Sequence, residues 1–176
     1  ITSSPVQEAL AVVGAPRSLI QGWSEVAELA DVPLRRVDWV LMAAQRSLRQ
    51  LTQAWDGDLA WLVVEEKSKR LVLCRQGVPE VDHVVEMDDL GACQRELRAC
   101  VAAWRAMVDS PSALGWWLSV PPEQVDDWMP LVDGAAGERC LNQPLPTWAE
   151  PSDQADAAVP SALQQLALLA LHQEER

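Results

Sequence analysis

The sequence contains no phenylalanine and no tyrosine among its 176 residues. All of its aromatic side chains are tryptophans, nine in number, so tryptophan must fill the aromatic positions of the core. Apolar residues make up 49% of the chain, which disfavours a disordered protein. The length allows one domain with a substantial core or two small lobes.

Cysteine and histidine are too few and too scattered to form a metal or redox site. The four cysteines form no CxxC pair and no ligand-like cluster with the two histidines. Cys93 and Cys100 are seven residues apart on one face of a predicted helix, where they suit small core positions. We therefore expect reduced, structural cysteines and no bound metal.

Long apolar runs are also missing. None approaches the roughly 18 residues that a membrane-spanning helix needs, so we expect no direct membrane insertion. The start, Ile1-Thr2-Ser3-Ser4, shows no signal peptide and no initiator methionine. We expect a cytoplasmic protein that is a fragment or has been processed.

Positive charge is scarce. Lysine and arginine number 14 against 26 acidic residues, which gives a formal net charge of -12. Such a surface repels nucleic-acid phosphates and anionic lipid headgroups. The charge therefore argues against a nucleic-acid partner.

The first part of the chain predicts a strand–helix–strand–helix segment over residues 1–57. Val6–Val13 reads as a strand, and Pro16 suits the first turn of a helix whose apolar residues repeat through Leu29. Leu34–Val37 reads as a short strand. A second amphipathic helix follows it.

Three strands come next. Leu59–Val64 and Arg70–Cys74 are apolar runs without a polar face, which is typical of central strands covered on both sides. Val81–Met87 alternates between polar and apolar residues and is predicted to lie nearer an edge. The residues Gln76-Gly77-Val78-Pro79-Glu80 predict the turn before it.

The remaining elements are, in order, a long helix capped by Asp88 or Asp89, a strand Gly115–Val120, a short helix from Pro122, a strand Glu138–Leu141 and a helix from Pro160. From Leu59 on, the order is β-β-β-α-β-α-β-α. It predicts an α/β subdomain over residues 58–176, a mixed sheet with helices on both faces in the ribonuclease-H-like layout.

Four stretches resemble the PilM group of type IV pilus assembly proteins and the cytoplasmic part of the type II secretion protein GspL. They are Val12–Arg17, Leu29–Asp38 (similar to the family's "AGL-x-P-x-x-VD" segment), Leu59–Gly77 and Ser161–Leu171. The resemblance implies the C-terminal half of an actin-like ATPase fold. It also implies a cytoplasmic scaffold that binds a short cytoplasmic peptide of an inner-membrane protein.

The turn after Leu59–Val64, the first of the three predicted strands, departs from that family. There the turn reads Asp-Ile-Gly and cradles nucleotide phosphate with backbone amides. The corresponding residues here are Glu65, Glu66, Lys67, Ser68 and Lys69. No glycine lets the backbone approach a phosphate, and two carboxylates would repel one by about 1 kcal/mol per close charge pair even in water.

A second phosphate turn is also altered. The family's Gly-Gly turn after the fourth strand corresponds to Val120-Pro121-Pro122, and each proline removes a donor N–H. We therefore expect no nucleotide cofactor and no ATP hydrolysis. The expected function is that of a non-catalytic interaction module with a degenerate nucleotide site.

An enzyme is the alternative. A ribonuclease-H-like sheet can hold two metal ions for a phosphotransferase or nuclease. Glu65 or Glu66, Glu96 and Glu123 are the available ligands, although solvated surface acids are the simpler interpretation. His83 could act as a base with Asp82 or Glu86, but neighbouring side chains on a strand point to opposite faces.

Tryptophan is the residue type that we expect at a partner contact. Trp116 and Trp117 are consecutive on a predicted strand and cannot both face one side of it. Trp148 lies in the proline-rich stretch Asn142–Val159. These three residues are the candidate partner contacts.

Overall fold

The computed structural model describes residues 14–33, 38–66, 68–132, 137–145 and 160–174. The predicted strands Val6–Val13 and Leu34–Val37 lie outside these ranges. The chain divides into two compact units, Ile1–Trp39 and Val40–Arg176.

The described part of the first unit centres on one helix, α1, Arg17–Leu29. Pro16 occupies the N-cap position, and its carbonyl oxygen accepts a hydrogen bond from the N–H of Leu19 at 3.0 Å. No residue of α1 is buried, so its predicted apolar stripe is open to solvent in the described residues. The helix predicted from Pro16 to Leu29 is confirmed.

In its described residues the second unit holds four α-helices, one short 3-10 helix and a five-stranded sheet. In order they are α2 Val40–Leu51, β1 Asp58–Val64, β2 Lys69–Arg75, β3 Val78–Val85, α3 Leu90–Arg105, β4 Leu114–Ser119, a short 3-10 helix Pro122–Gln124, α4 Val125–Val132, β5 Arg139–Cys140 and α5 Ala162–Glu174. The predicted order from Leu59 onward is confirmed.

The strands form one mixed sheet in the order β3-β2-β1-β4-β5. The meander makes the β1–β2 and β2–β3 pairs antiparallel, whereas β4 returns to pair parallel with β1, and β5 pairs parallel with β4. Strands β1 and β2 are therefore central and β3 is an edge strand, as the sequence predicts.

Alternation along β1 divides the core between two faces of the sheet. Ala60, Leu62 and Val64 join a cluster with buried residues of α3 and α4. Leu59 and Trp61 join a second cluster with buried residues of α2 and α5. Helices thus cover both faces of the sheet.

Helix α2 packs against the sheet. The sequence places residues 1–57 in a first segment, but α2 belongs to the unit that contains the sheet. Leu41, Ala44 and Leu48 of α2 are buried in the same cluster as Trp61. Burial of this helix face depends on contacts with the sheet that local pattern does not reveal.

The turn between β2 and β3 is also shorter than predicted. Gln76 and Gly77 form it alone, with φ angles of 51° and 76°, and β3 already begins at Val78. Pro79 therefore lies in a strand. An edge strand tolerates proline, and a register shift between Leu73 and Cys74 accommodates it.

Candidate functional site

The turn after β1 and the turn after β4 meet at one cleft. Since β1 and β4 are parallel neighbours, with Val63 opposite Ser119, their carboxyl ends lie at the same end of the sheet. The turn after β1 and the turn after β4 therefore face each other across a cleft of about 490 Å³. Ligands of open α/β sheets bind at such carboxyl ends, so this cleft is the candidate site.

The hairpin after β1 forms one wall. Its backbone closes through a hydrogen bond from the N–H of Glu65 to the carbonyl oxygen of Ser68 at 2.9 Å. Glu65 and Glu66 are exposed and line the cleft. Lys69 also lines it and donates from Nζ to the carbonyl oxygen of Met87 at 2.5 Å, while Lys67 lies outside the described residues.

The turn after β4 forms the opposite wall. Pro121 lines the cleft, and its carbonyl oxygen accepts a hydrogen bond from the N–H of Gln124 at 2.9 Å. Pro122 is the first residue of the short 3-10 helix and is not among the residues that line the cleft. Neither proline has an N–H, so this turn offers no amide donor at these two positions.

Carboxylates dominate the lining of the cleft. Among the described residues they are Glu65, Glu66, Asp88, Glu123 and Asp127, against one cation, Lys69. Like charges converging on one concave surface raise its negative potential, which favours cations over anions. The cleft is therefore a poor place for a triphosphate.

Two of these acids were missed as site residues from the sequence. Asp88 reads as a possible helix cap, but Asp89 caps α3, accepting from the N–H of Ala92 at 2.6 Å. Asp88 does not cap the helix and instead lines the cleft. Asp127 lies in the first turn of α4, where an acid suits the helix dipole and gives no signal of a site.

The predicted metal ligands are not brought together as a set. Glu65, Glu66 and Glu123 share the cleft, but Glu96 lies elsewhere and contacts His83, with 2.8 Å between Glu96 Oε1 and His83 Nε2. Within the described residues, no group of three or more histidine, cysteine or acidic side chains could hold a metal ion. His83 thus contacts Glu96 of α3 and not its strand neighbours, which agrees with the expectation that Asp82 and Glu86 point to the other face.

The tryptophan contacts need correction. Trp116 is 0% exposed and Trp117 2% exposed, and they enter opposite core clusters. Their predicted opposite orientation is confirmed, but neither offers a surface to a partner, because the helices on both faces of the sheet bury them. Trp148 lies outside the described residues.

Asp58, at the start of β1, is a buried carboxyl group at the other end of the strand. Its side chain is 2% exposed, and Oδ2 lies 3.8 Å from Nη1 of Arg75 without a hydrogen bond. Burial raises the pKa of Asp58, Arg75 and Arg105 lower it, and Glu80 raises it, with a net upward shift. The folded state therefore disfavours the charged form of this carboxyl.

Replacing Asp58 by asparagine is expected to benefit stability more at neutral pH than at pH 4. The pKa of Asp58 is higher in the folded state than in the unfolded state. The cost that its buried charge adds to folding is therefore absent at low pH and fully present above the raised pKa. Urea unfolding of wild type and Asp58→Asn at both pH values measures the difference. Asp56→Asn, an exposed control, is expected to show no such trend; an equal effect of Asp58→Asn at both pH values would contradict the assignment.

Comparison with known proteins adds no family. Neither a scan against protein-family models nor a search of curated proteins found a match to this chain. In the described part of the chain, no helix has the length and apolar character needed to cross a membrane.

Proposed function

We propose that this chain is a non-catalytic, cytoplasmic interaction module: a degenerate actin-like domain that acts as a scaffold in a pilus or secretion assembly. The proposed fold is ribonuclease-H-like over residues 58–176. The βββαβαβα order, the parallel return of β4 beside β1 and the helices on both faces support that fold.

One observation carries the non-catalytic part of the proposal. The two turns that would hold nucleotide phosphates in an actin-like domain face each other across the cleft, and both are chemically unsuited to phosphate. Five carboxylates of the described residues line the cleft, and Pro121 has no amide N–H to donate. Each carboxylate close to a phosphate charge costs about 1 kcal/mol even in water.

The metal-dependent phosphotransferase or nuclease is not proposed. Its ligand set is divided between the cleft and the His83–Glu96 contact. The net charge of -12 also opposes a nucleic-acid substrate.

Calorimetric titration with Mg-ATP is expected to give no saturable heat, because repulsion and missing amides leave the phosphates without partners. The variant Glu65→Gln/Glu66→Gln removes two cleft charges and is expected to bind better than wild type, though still weakly. Asp109→Asn/Asp126→Asn makes the same change in net charge at exposed residues outside the lining and serves as the control. Wild-type binding tighter than about 0.1 mM would contradict the degenerate site.

The scaffold role has its own test. Cross-linking in the native host, followed by mass spectrometry, should identify an inner-membrane assembly protein with a short cytoplasmic segment. A synthetic peptide of that segment should then bind the purified chain. Repeated capture without any membrane-assembly protein counts against the scaffold, whatever the calorimetry shows.

A further inference from the structure

The two edges of the sheet are finished in different ways. On the β4 side, β5 pairs with Gly115 and Trp116 only. Beyond it, the Asn142 side chain replaces a strand: the N–H of Leu118 donates to Oδ1 at 2.7 Å, and Nδ2 donates to the Leu118 carbonyl oxygen at 2.8 Å. This edge is therefore closed along most of β4.

The β3 side is open in the described residues. Strand β3, Val78–Val85, is last in the sheet order and pairs only with β2. No backbone hydrogen bond from another described segment reaches it. Pro79 and the neighbouring register shift obstruct the addition of another strand at the start of β3. The segment Val81–Val85 contains neither a proline nor a register shift. Within the described part of the chain, these five residues have no strand paired to their outer side.

The side chains along this edge have a period-two pattern. Asp82 and Val84 are exposed on one face, and Glu86 follows just after the strand. Arg70 contacts both carboxylate oxygens of Asp82, at 2.9 Å from Nη1 to Oδ1 and 2.7 Å to Oδ2, and the Asp82 side chain stays 45% exposed beside it. Val84 is 40% exposed between the two acids. The edge thus alternates acid, apolar residue and acid on one face.

We propose that Val81–Val85 is a docking edge for an extended cationic peptide, which adds as a sixth strand beside β3. Backbone hydrogen bonds supply the affinity in this mode, and alternate side chains supply the specificity. Opposite Asp82, Val84 and Glu86, the fitting pattern is a cation, an apolar residue and a second cation at alternate positions. The inference goes beyond the proposed function, because it needs only the sheet and not the state of the cleft.

A second copy of this chain fits the edge less well. Two β3 strands related by a two-fold axis would bring the acids of one copy beside those of the other. From Val78 to Met87 there are three acids and no lysine or arginine. Like charges opposite each other across strands are destabilising.

The test uses a synthetic peptide containing Lys-Thr-Val-Thr-Lys and a control peptide in which glutamate replaces both lysines. Hydrogen exchange of the full chain is expected to slow over residues 78–87 with the cationic peptide and to stay unchanged with the acidic one. Glu86→Lys reverses one edge charge and is expected to weaken binding roughly tenfold. The control Asp126→Lys changes the net charge equally on α4 and should leave affinity nearly unchanged.

Three results would overturn the docking edge: no protection with either peptide, protection outside residues 78–87, or equal weakening by Glu86→Lys and Asp126→Lys. Protection that appears with protein concentration alone, together with a dimer in sedimentation, would assign the edge to a second copy instead. Peptide docking with measurable Mg-ATP binding would overturn only the proposed function. If the cationic peptide does not dock and Mg-ATP does not bind either, only this inference is overturned.

Discussion

Replacing Trp116 by alanine is expected to lower the free energy of unfolding by about 3–5 kcal/mol, the usual cost of truncating a fully buried tryptophan. The side chain is 0% exposed and belongs to the cluster between β4, α3 and α4. Close packing around such a ring leaves a cavity that the sheet and helices cannot fully collapse. The total free energy of unfolding of a typical domain is only about 5–15 kcal/mol, so this loss would be severe.

A polar contact adds to this cost. The indole N–H of Trp116 donates to Oε2 of Glu138 at 2.8 Å, and the guanidinium of Arg98 lies 5.4 Å from the ring centroid. The Glu138 side chain is 3% exposed and also pairs with Arg98 at 2.7 Å and Arg105 at 3.5 Å. Alanine removes the indole N–H, one of the donors to the buried Glu138 carboxylate, and the loss of this hydrogen bond lowers the free energy of unfolding further.

Urea unfolding followed by circular dichroism measures the loss. Trp116→Phe keeps most of the apolar volume but not the N–H donor, so an intermediate loss is expected, and this variant stays measurable if the alanine variant does not fold. Trp23→Ala is the control, since Trp23 is 61% exposed on α1 and its truncation should change stability by less than about 0.5 kcal/mol. A loss below about 1 kcal/mol for Trp116→Ala would show that this cluster is not the core.

Cys74 is expected to react with iodoacetamide at pH 8 roughly a thousandfold more slowly than a thiol with an unshifted pKa. Burial raises the pKa of Cys74 from 9.0 to about 12, an effect that Arg49 opposes and Glu80 reinforces. The thiolate is the reactive form, and its population falls tenfold for each unit by which the pKa rises. Burial in β2 also blocks access of the reagent.

Cys140 provides the internal comparison. It is exposed in β5 and should be modified first. Mass spectrometry of peptides after timed labelling distinguishes the two cysteines, and Cys140→Ser should abolish the fast phase. Unfolding in urea should make Cys74 reactive. Equal labelling of both cysteines in the native chain would mean that β2 is not central.

Much of the fold follows from short-range pattern. Two apolar runs and an alternating third predict a meander with β3 at the edge, and that is the arrangement of β1, β2 and β3. The aspartates before α3 predict its start, and Asp89 caps it. These features were predictable because strand alternation and helix capping depend on residues only a few positions apart.

The candidate site was predictable only in part. The unsuitability of the two turns is visible in Glu65, Glu66 and Pro121, because it depends on residue type. The roles of Asp88 and Asp127 were not visible, since the folding of α3 and α4 brings them to the same cleft as the hairpin. His83 likewise meets Glu96 across a strand–helix contact that no local spacing indicates.

By itself, the sequence determined the order of helices and strands, the central position of β1 and β2, and the chemistry of the two turns, because local hydrophobic periodicity and residue type decide these. Only the tertiary structure decided that α2 packs with the sheet and that Trp116 and Trp117 are both buried. It also decided that Asn142 closes the edge of β4, while β3 has no outer partner among the residues that the structure describes. The physical reason is that burial and pairing at these places depend on contacts between residues far apart in the chain, and a local pattern does not contain them.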